Sequence, residues 1–552
     1  MRHTSKSIKN YVDLIDKFLS IMIRSINLNR RYVVLFIISS LVTCKAYYAY
    51  FVFHQHNLPV YDGIMYERNQ ILSFFRFQNH FSFIDQIYQA IIEFNGPNGG
   101  FGALIALINP KWFINDWDII LRSFFAVFIF STIVFKLLED RVTEINRYIL
   151  LFAIFQLPMF YHFRIGLTTY VPDITSGLFL ISGYLAIYIF YKFQQIRYLI
   201  LGLVLVVASF LFRLNFFVYT TALIFPLIIV MYFSQKNIFT QKLKWTSFII
   251  LSISILFAVF YISRHFDFFI SYYTKPVAFQ KTGLTLSLKS VFDSYLNEVG
   301  ISGSILLIGI SLLVNRNKLK TSKIDKAVLM YPFAFFTLFL IFYLHAVNQP
   351  HVFSAFFVCS IPLFFIGDGT LKSKVNTPII YVTLIISFIF LMTTYYKDIK
   401  TNSVSDTNFS VSQSIIEHIV SKKELNKNFK YVCFYDEMID IPMDVSILNK
   451  TGIWLNSQTK FYFNDWNYYD LDPHLNSEKI SHMYIDKLKT EKFDLIAINT
   501  TINPKMKNYP TAIQINRNVY KFLQNSKSYH KLKNSFESPN EGKVVLFQKN
   551  EH

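Results

Sequence analysis

The chain has 552 residues, 53% of them hydrophobic and 16% charged, and its 54 Lys and Arg against 35 Asp and Glu leave a formal charge of +19. In a soluble protein that excess would point to nucleic acid. Here apolar runs long enough to cross a bilayer recur through most of the chain, and cations collect in the cytoplasmic loops of such proteins, so nucleic acid is excluded as a partner.

A spanning helix needs about 20 mostly apolar residues, and only helices or closed barrels satisfy their backbone in hydrocarbon. Continuous runs without strict alternation exclude the barrel. The basic start, Met1 to Arg31, leads into a full-length apolar segment with no small-residue cleavage site, and reads as an uncleaved anchor. In chain order the runs predict spans at 32–53, 117–137, 148–163, 170–191, 198–213, 216–234, 246–263, 301–314, 328–345, 352–366 and 378–396, about eleven.

Alternate breaks between these runs carry the cations: Arg24, Arg30 and Arg31, then Arg141 and Arg147, Lys192 and Arg197, Lys242 and Lys244, Lys318 and Lys320, and Lys372 and Lys374. The positive-inside rule puts that side in the cytoplasm, and an odd number of spans puts the C-terminus outside. The expected fold is a polytopic α-helical membrane protein followed by a soluble α/β domain. The membrane domain would take 1–396, with an external first loop at 54–116, and the external domain 397–552. In the latter, β-type runs such as "FKYVCFY" and "FDLIAINT" alternate with helical stretches such as "SVSQSIIEHIVSKKE".

This topology brings several polar groups to the external side. "PVYDGIMYERNQ" places Asp62, Tyr66 and Glu67 just beyond the first span. A plain reading is that such acids only solvate the interface. "TTYVPDITSG" places Asp173 at the mouth of the fourth span, where Pro172 suits a helix start and a carboxylate suits the N-terminal dipole. "SFLFRLNFF" puts Arg213 and Asn215 in a tight apolar turn. There an arginine either snorkels to the interface or meets a buried anion. "LHAVNQPHVF" brings His345 and His351, whose spacing suits no metal site. Acids and cations converging on one face are the layout of a membrane enzyme acting on a phosphate-bearing lipid, a carboxylate serving as base and cations stabilising the leaving phosphate.

On these stretches the chain resembles the GT-C glycosyltransferases that use polyprenyl-phosphate-linked sugars, in particular the branch of protein mannosyltransferases and the lipid A aminoarabinose transferase. "YDGIMYE" is similar to that branch's acidic motif, with Asp62 and Tyr66 in place and Gly63 where a second acid is usual. Glu67, five residues on, would point about 140° away on a helix. "FINDWDIILRSFF" brings an arginine, Arg122, into the second span, and Arg213 stands where a Lys or Arg is usual. "GPNGG" replaces the family's His-Pro-Pro, and His351 and Phe353 replace an Arg-Tyr pair.

The resemblance implies an inverting, external-face transferase of hexosyl or pentosyl groups, multi-pass in a bacterial inner membrane. Asp62, Glu67 and Asp173 would be its catalytic acids, and Tyr66, Arg122, Arg213, Asn215, His345 and His351 would bind substrate. The acceptor would be a lipid, a glycan or a protein. A divalent metal is left open, no residues forming a dedicated site. The alternatives are a surface-polysaccharide polymerase or ligase, a transporter, or a non-catalytic membrane scaffold.

Overall fold

The computed structural model describes residues 30–54, 84–85, 117–162, 166–169, 172–214, 216–233, 241–266, 288–314, 331–338, 350–364, 377–404, 410–422, 425–426, 428–434, 440–453, 455, 477–501, 510–538 and 542–550. The apolar runs form helices α1 (Arg30–His54), α2 (Trp117–Leu137), α3 (Glu144–Ile154), α4 (Asp173–Phe193), α5 (Ile196–Phe212), α6 (Phe216–Phe233), α7 (Gln241–Arg264), α8 (Leu288–Glu298), α9 (Gly300–Val314), α10 (Pro350–Ser360) and α11 (Thr377–Val404). Residues 331–338 are helical as well.

Among the described residues, five helices are long and apolar enough to cross a bilayer, or six if α8 and α9, bent by 75°, count as one span. The chain is therefore a multi-pass membrane protein by helix length and composition, although the expected eleven spans are not matched by eleven such helices. The run at 148–163, expected to span, does not form one helix. α3 stops at Ile154, and Pro158–Tyr161 form a 3-10 turn. The reason is local: Pro158 has no N–H for a continuing helix and its ring disfavours the helical conformation at the residue before it.

Charged groups gather at both ends of the bundle. At one end Arg31 pairs with Glu139 at 3.2 Å and reaches Glu144 at 3.8 Å, Lys136 hydrogen-bonds Glu139, and Lys136 and Lys192 both lie over Phe193. The Lys136 hydrogen bond, first among several causes, holds the Glu139 carboxyl below its ordinary value. The opposite end receives the start of α2, the start of α4 and the end of α5.

α4 is central: almost every residue along it is buried, and it packs against α2, α5 and α10. Its closest approach is to α5. A Cβ on Gly202 would lie 2.6 Å from Ile187 Cγ1 and 2.9 Å from the Gly183 carbonyl oxygen. Small residues allow such backbone contact in membranes, where hydrocarbon supplies no hydrophobic drive between helices. Gly202→Val is expected to destabilise the bundle by about 1–3 kcal/mol through overpacking. Val204→Ile, on an exposed part of the same helix, should leave stability unchanged. Reversible unfolding in detergent compares the two, and equal midpoints would show that α4 and α5 are not held this closely.

After α11, which runs through the expected boundary at residue 397, come α12 (Ser410–Val420), β1 (Tyr431–Phe434), α13 (Asp440–Thr451), α14 (Ser477–Glu491), β2 (Leu495–Asn499), α15 (Pro510–Asn525), β3 (Tyr529–Ser538) and β4 (Gly542–Lys549). The strands form one sheet in the order β1-β2-β4-β3, with β1 and β2 parallel and the other pairs antiparallel. Side chains alternate between faces along a strand, and both faces here are covered. Val432, Phe434, Ile496, Ile498, Val545 and Phe547 pack under α14 and α15. Tyr431, Cys433, Leu495, Ala497, Val544 and Leu546 pack under α12 and α13. Burial on both sides explains why β1 and β2 read as unbroken apolar runs.

Candidate functional site

Pro172 occupies the N-cap of α4, and its carbonyl accepts from the Ser176 amide at 2.8 Å and from Thr175 Oγ1 at 2.9 Å. Asp173 therefore opens the first turn, as expected of an acid at a helix start, but it does more than complement the dipole. Its Oδ1 lies 3.5 Å from Arg213 Nε, and the two side chains are 4% and 1% exposed as residues. Arg213 is the C-cap of α5 in an extended conformation. Its amide donates to the Ser209 carbonyl and its own carbonyl accepts from the Phe216 amide, closing the short turn into α6. That turn aims the guanidinium inward, so the snorkelling reading of Arg213 is replaced by the buried ion pair.

Arg122 joins from α2. It is 3% exposed, its Nη2 donates to the Thr169 carbonyl at 2.5 Å, and its guanidinium lies 5.9 Å from the ring of Phe212, the neighbour of Arg213. Next to it Ser123 Oγ donates to the Leu167 carbonyl at 2.6 Å. These bonds hold the non-helical stretch leading into α4. Gly166 makes its tight turn possible: its amide donates to the His162 carbonyl at 2.7 Å, and a Cβ there would sit 2.4 Å from that same oxygen.

The site thus gathers two arginines and a carboxylate from α2, α4 and the α5–α6 turn. Removing two charges from water costs several kcal/mol per ion, and a well-packed apolar pair often gives equal or better stability. Stability alone therefore does not account for Asp173 and Arg213. Buried ionisable groups within a membrane domain are functional candidates.

Of the other expected site residues, Asp62, Tyr66, Glu67, Asn215 and His345 lie outside the described residues, as does the His351 side chain, whose backbone belongs to α10. Asp118, buried in the first turn of α2 and one turn ahead of Arg122, was not singled out from the sequence. The signal for it was an acid and an arginine four residues apart at a helix start. Among the described residues, no group of three or more His, Cys, Asp or Glu side chains could hold a metal ion.

No protein-family model matches the chain, and no curated protein sequence matches it. Among solved structures, an Archaeoglobus fulgidus oligosaccharyltransferase, in a complex with zinc and sulfate, superposes with a TM-score of 0.46 at 10% identity, over 93% of this chain and 72% of that one. A superposition at that level carries no weight for the chemistry of this chain.

Proposed function

We propose that the chain is an integral membrane glycosyltransferase that moves a sugar from a polyprenyl-phosphate donor to an acceptor at the membrane face bearing Asp173 and Arg213. The observation that carries this reading is the enclosed pair itself, with Arg122 against the ring of the neighbouring Phe212, at the end of the bundle opposite Arg31, Lys136 and Lys192. The short acidic motif around Asp62 supports the same reading.

In the proposed reaction the Asp62 carboxylate takes the proton of an acceptor hydroxyl. The hydroxyl oxygen then bonds the anomeric carbon from the face opposite the phosphate, and the bond to phosphate oxygen breaks with its electron pair on the leaving phosphate. Arg213 and Arg122 stabilise that charge, and Asp173 fixes the Arg213 guanidinium. Preorganised cations in a water-poor site are worth more than in water. The α/β unit after α11 is assigned to acceptor selection, with the transfer residues in the membrane domain.

Vesicles containing the protein, supplied with a panel of polyprenyl-phosphate sugars carrying a radiolabel, test the function. Label should move to an acceptor from one donor class, and folded protein that releases label from none removes the proposal. Sidedness is tested separately by cysteines at Lys318 and Lys450, which a membrane-impermeant thiol reagent should label from opposite sides, following the alternating cationic loops. Labelling of both from one side would reverse the assignment of the α/β unit.

A further inference from the structure

Lys45 lies within α1, fifteen residues after its first residue Arg30, in a stretch long and apolar enough to cross a membrane. Its ammonium meets groups from two other parts of the bundle. Nζ donates to Gln156 Oε1 at 2.6 Å, lies 3.9 Å from the Tyr161 ring centroid and 4.4 Å from that of Tyr395, and is 3.4 Å from Met392 Sδ. Tyr395 also donates its hydroxyl to the Lys45 carbonyl at 3.0 Å. Among the described residues no carboxylate pairs with this ammonium. It is held by a neutral acceptor and two aromatic faces, the arrangement in which a desolvated cation gains most from aromatic rings.

What these contacts hold is the break after α3. Phe155, Gln156, Leu157, Met159, Phe160 and Tyr161 are all buried, although most of this stretch is not α-helical. Non-helical backbone at membrane depth survives only where protein or a cavity satisfies it. Here Tyr161 donates its hydroxyl to the Phe155 carbonyl, Lys45 takes the Gln156 side chain, and Ser123 and Arg122 take the carbonyls of Leu167 and Thr169. Leu167 ties this stretch to the residues before α4, its amide donating to the Phe160 carbonyl at 3.0 Å, and Pro172 and Asp173 follow a few positions later in the chain. Lys45 thus anchors the near end of the segment whose far end presents Asp173 to Arg213, and fastens it to α11.

We propose that Lys45 is a positioning residue for the Asp173–Arg213 pair, acting through the buried residues around Gln156 and Tyr161 and through Leu167–Thr169, which hydrogen-bond to them and to α2. The proposal rests on the reading of that pair as the working part of the site. Lys45→Met keeps the aliphatic stem and removes the ammonium. Hydrogen exchange on the full-length protein in detergent should then show amides of 155–169 and of the first turns of α4 exchanging at least about tenfold faster, with β1 and β2 unchanged. Lys45→Arg, which keeps a cation against the tyrosine faces, should stay within about threefold of wild type.

Should Lys45→Met fail to insert, Gln156→Met removes the same contact from the other side and should give the same rise. In the transfer assay kcat should fall about tenfold or more while the donor KM changes little, since small misplacements of reacting groups cost rate rather than binding. Unchanged exchange at 155–169 overturns the proposal, and so does a rise that stops short of α4. A wild-type protein that transfers no sugar removes the functional reading, while the exchange pattern still decides the anchor.

Discussion

Arg213→Met is expected to abolish sugar transfer and to destabilise the bundle by about 3–5 kcal/mol, because it leaves the Asp173 carboxylate buried without its cation. Asp173→Leu should cost a similar amount for the converse reason. The informative protein is the double variant. An apolar pair of comparable volume is often as stable as a buried ion pair, or more so, so Asp173→Leu with Arg213→Met should regain most of the lost stability and none of the transfer. Thermal unfolding in detergent and the vesicle assay, run on all four proteins, separate the two roles. Transfer restored along with stability would make the pair a structural device, and the proposed role of Arg213 at the donor phosphate would fall.

Asp62→Asn is the second large effect. As the proposed general base, Asp62 supplies a factor of about 10²–10⁴, and the amide cannot accept the acceptor's proton. Turnover should therefore drop by about 100-fold or more with normal membrane insertion and near-normal donor binding. Glu67→Gln should do less, because Asp62 and not Glu67 holds the place of the first acid in the resembled motif. Rate constants from purified protein in vesicles, with donor affinity measured on the same preparations, decide the matter. Transfer by Asp62→Asn within a few-fold of wild type would move the base elsewhere, and Asp118, buried in the first turn of α2, would be the next carboxylate to substitute.

The amino-acid sequence by itself determined the class of this protein and the outline of its parts. The run predicted at 117–137 is α2 to the residue, "FKYVCFY" and "FDLIAINT" contain β1 and β2, and "SVSQSIIEHIVSKKE" contains α12. Hydrophobic runs and their periodicity are local properties, and burial in lipid or on both faces of a sheet imposes them directly on the chain. The strand β3, "YHKLKNSFES", escaped notice because it is a polar edge strand, where lysines keep other chains from pairing. Asp173, Arg122 and Arg213 could be chosen from sequence because a charge at the end of an apolar run is conspicuous wherever it stands.

Only the tertiary structure decided what those charges do. That Arg213 turns inward to Asp173, that Arg122 holds the Thr169 carbonyl, and that Lys45 sits between two tyrosines and a glutamine each depend on segments 40 to 350 residues apart in the chain. The lone Lys45 inside an apolar run has no local partner to mark it. Its contacts exist because α3 stops at Ile154, ahead of Pro158, so that Gln156 and Tyr161 turn toward α1 and α11, while Arg122 and Ser123 of α2 satisfy backbone carbonyls further along.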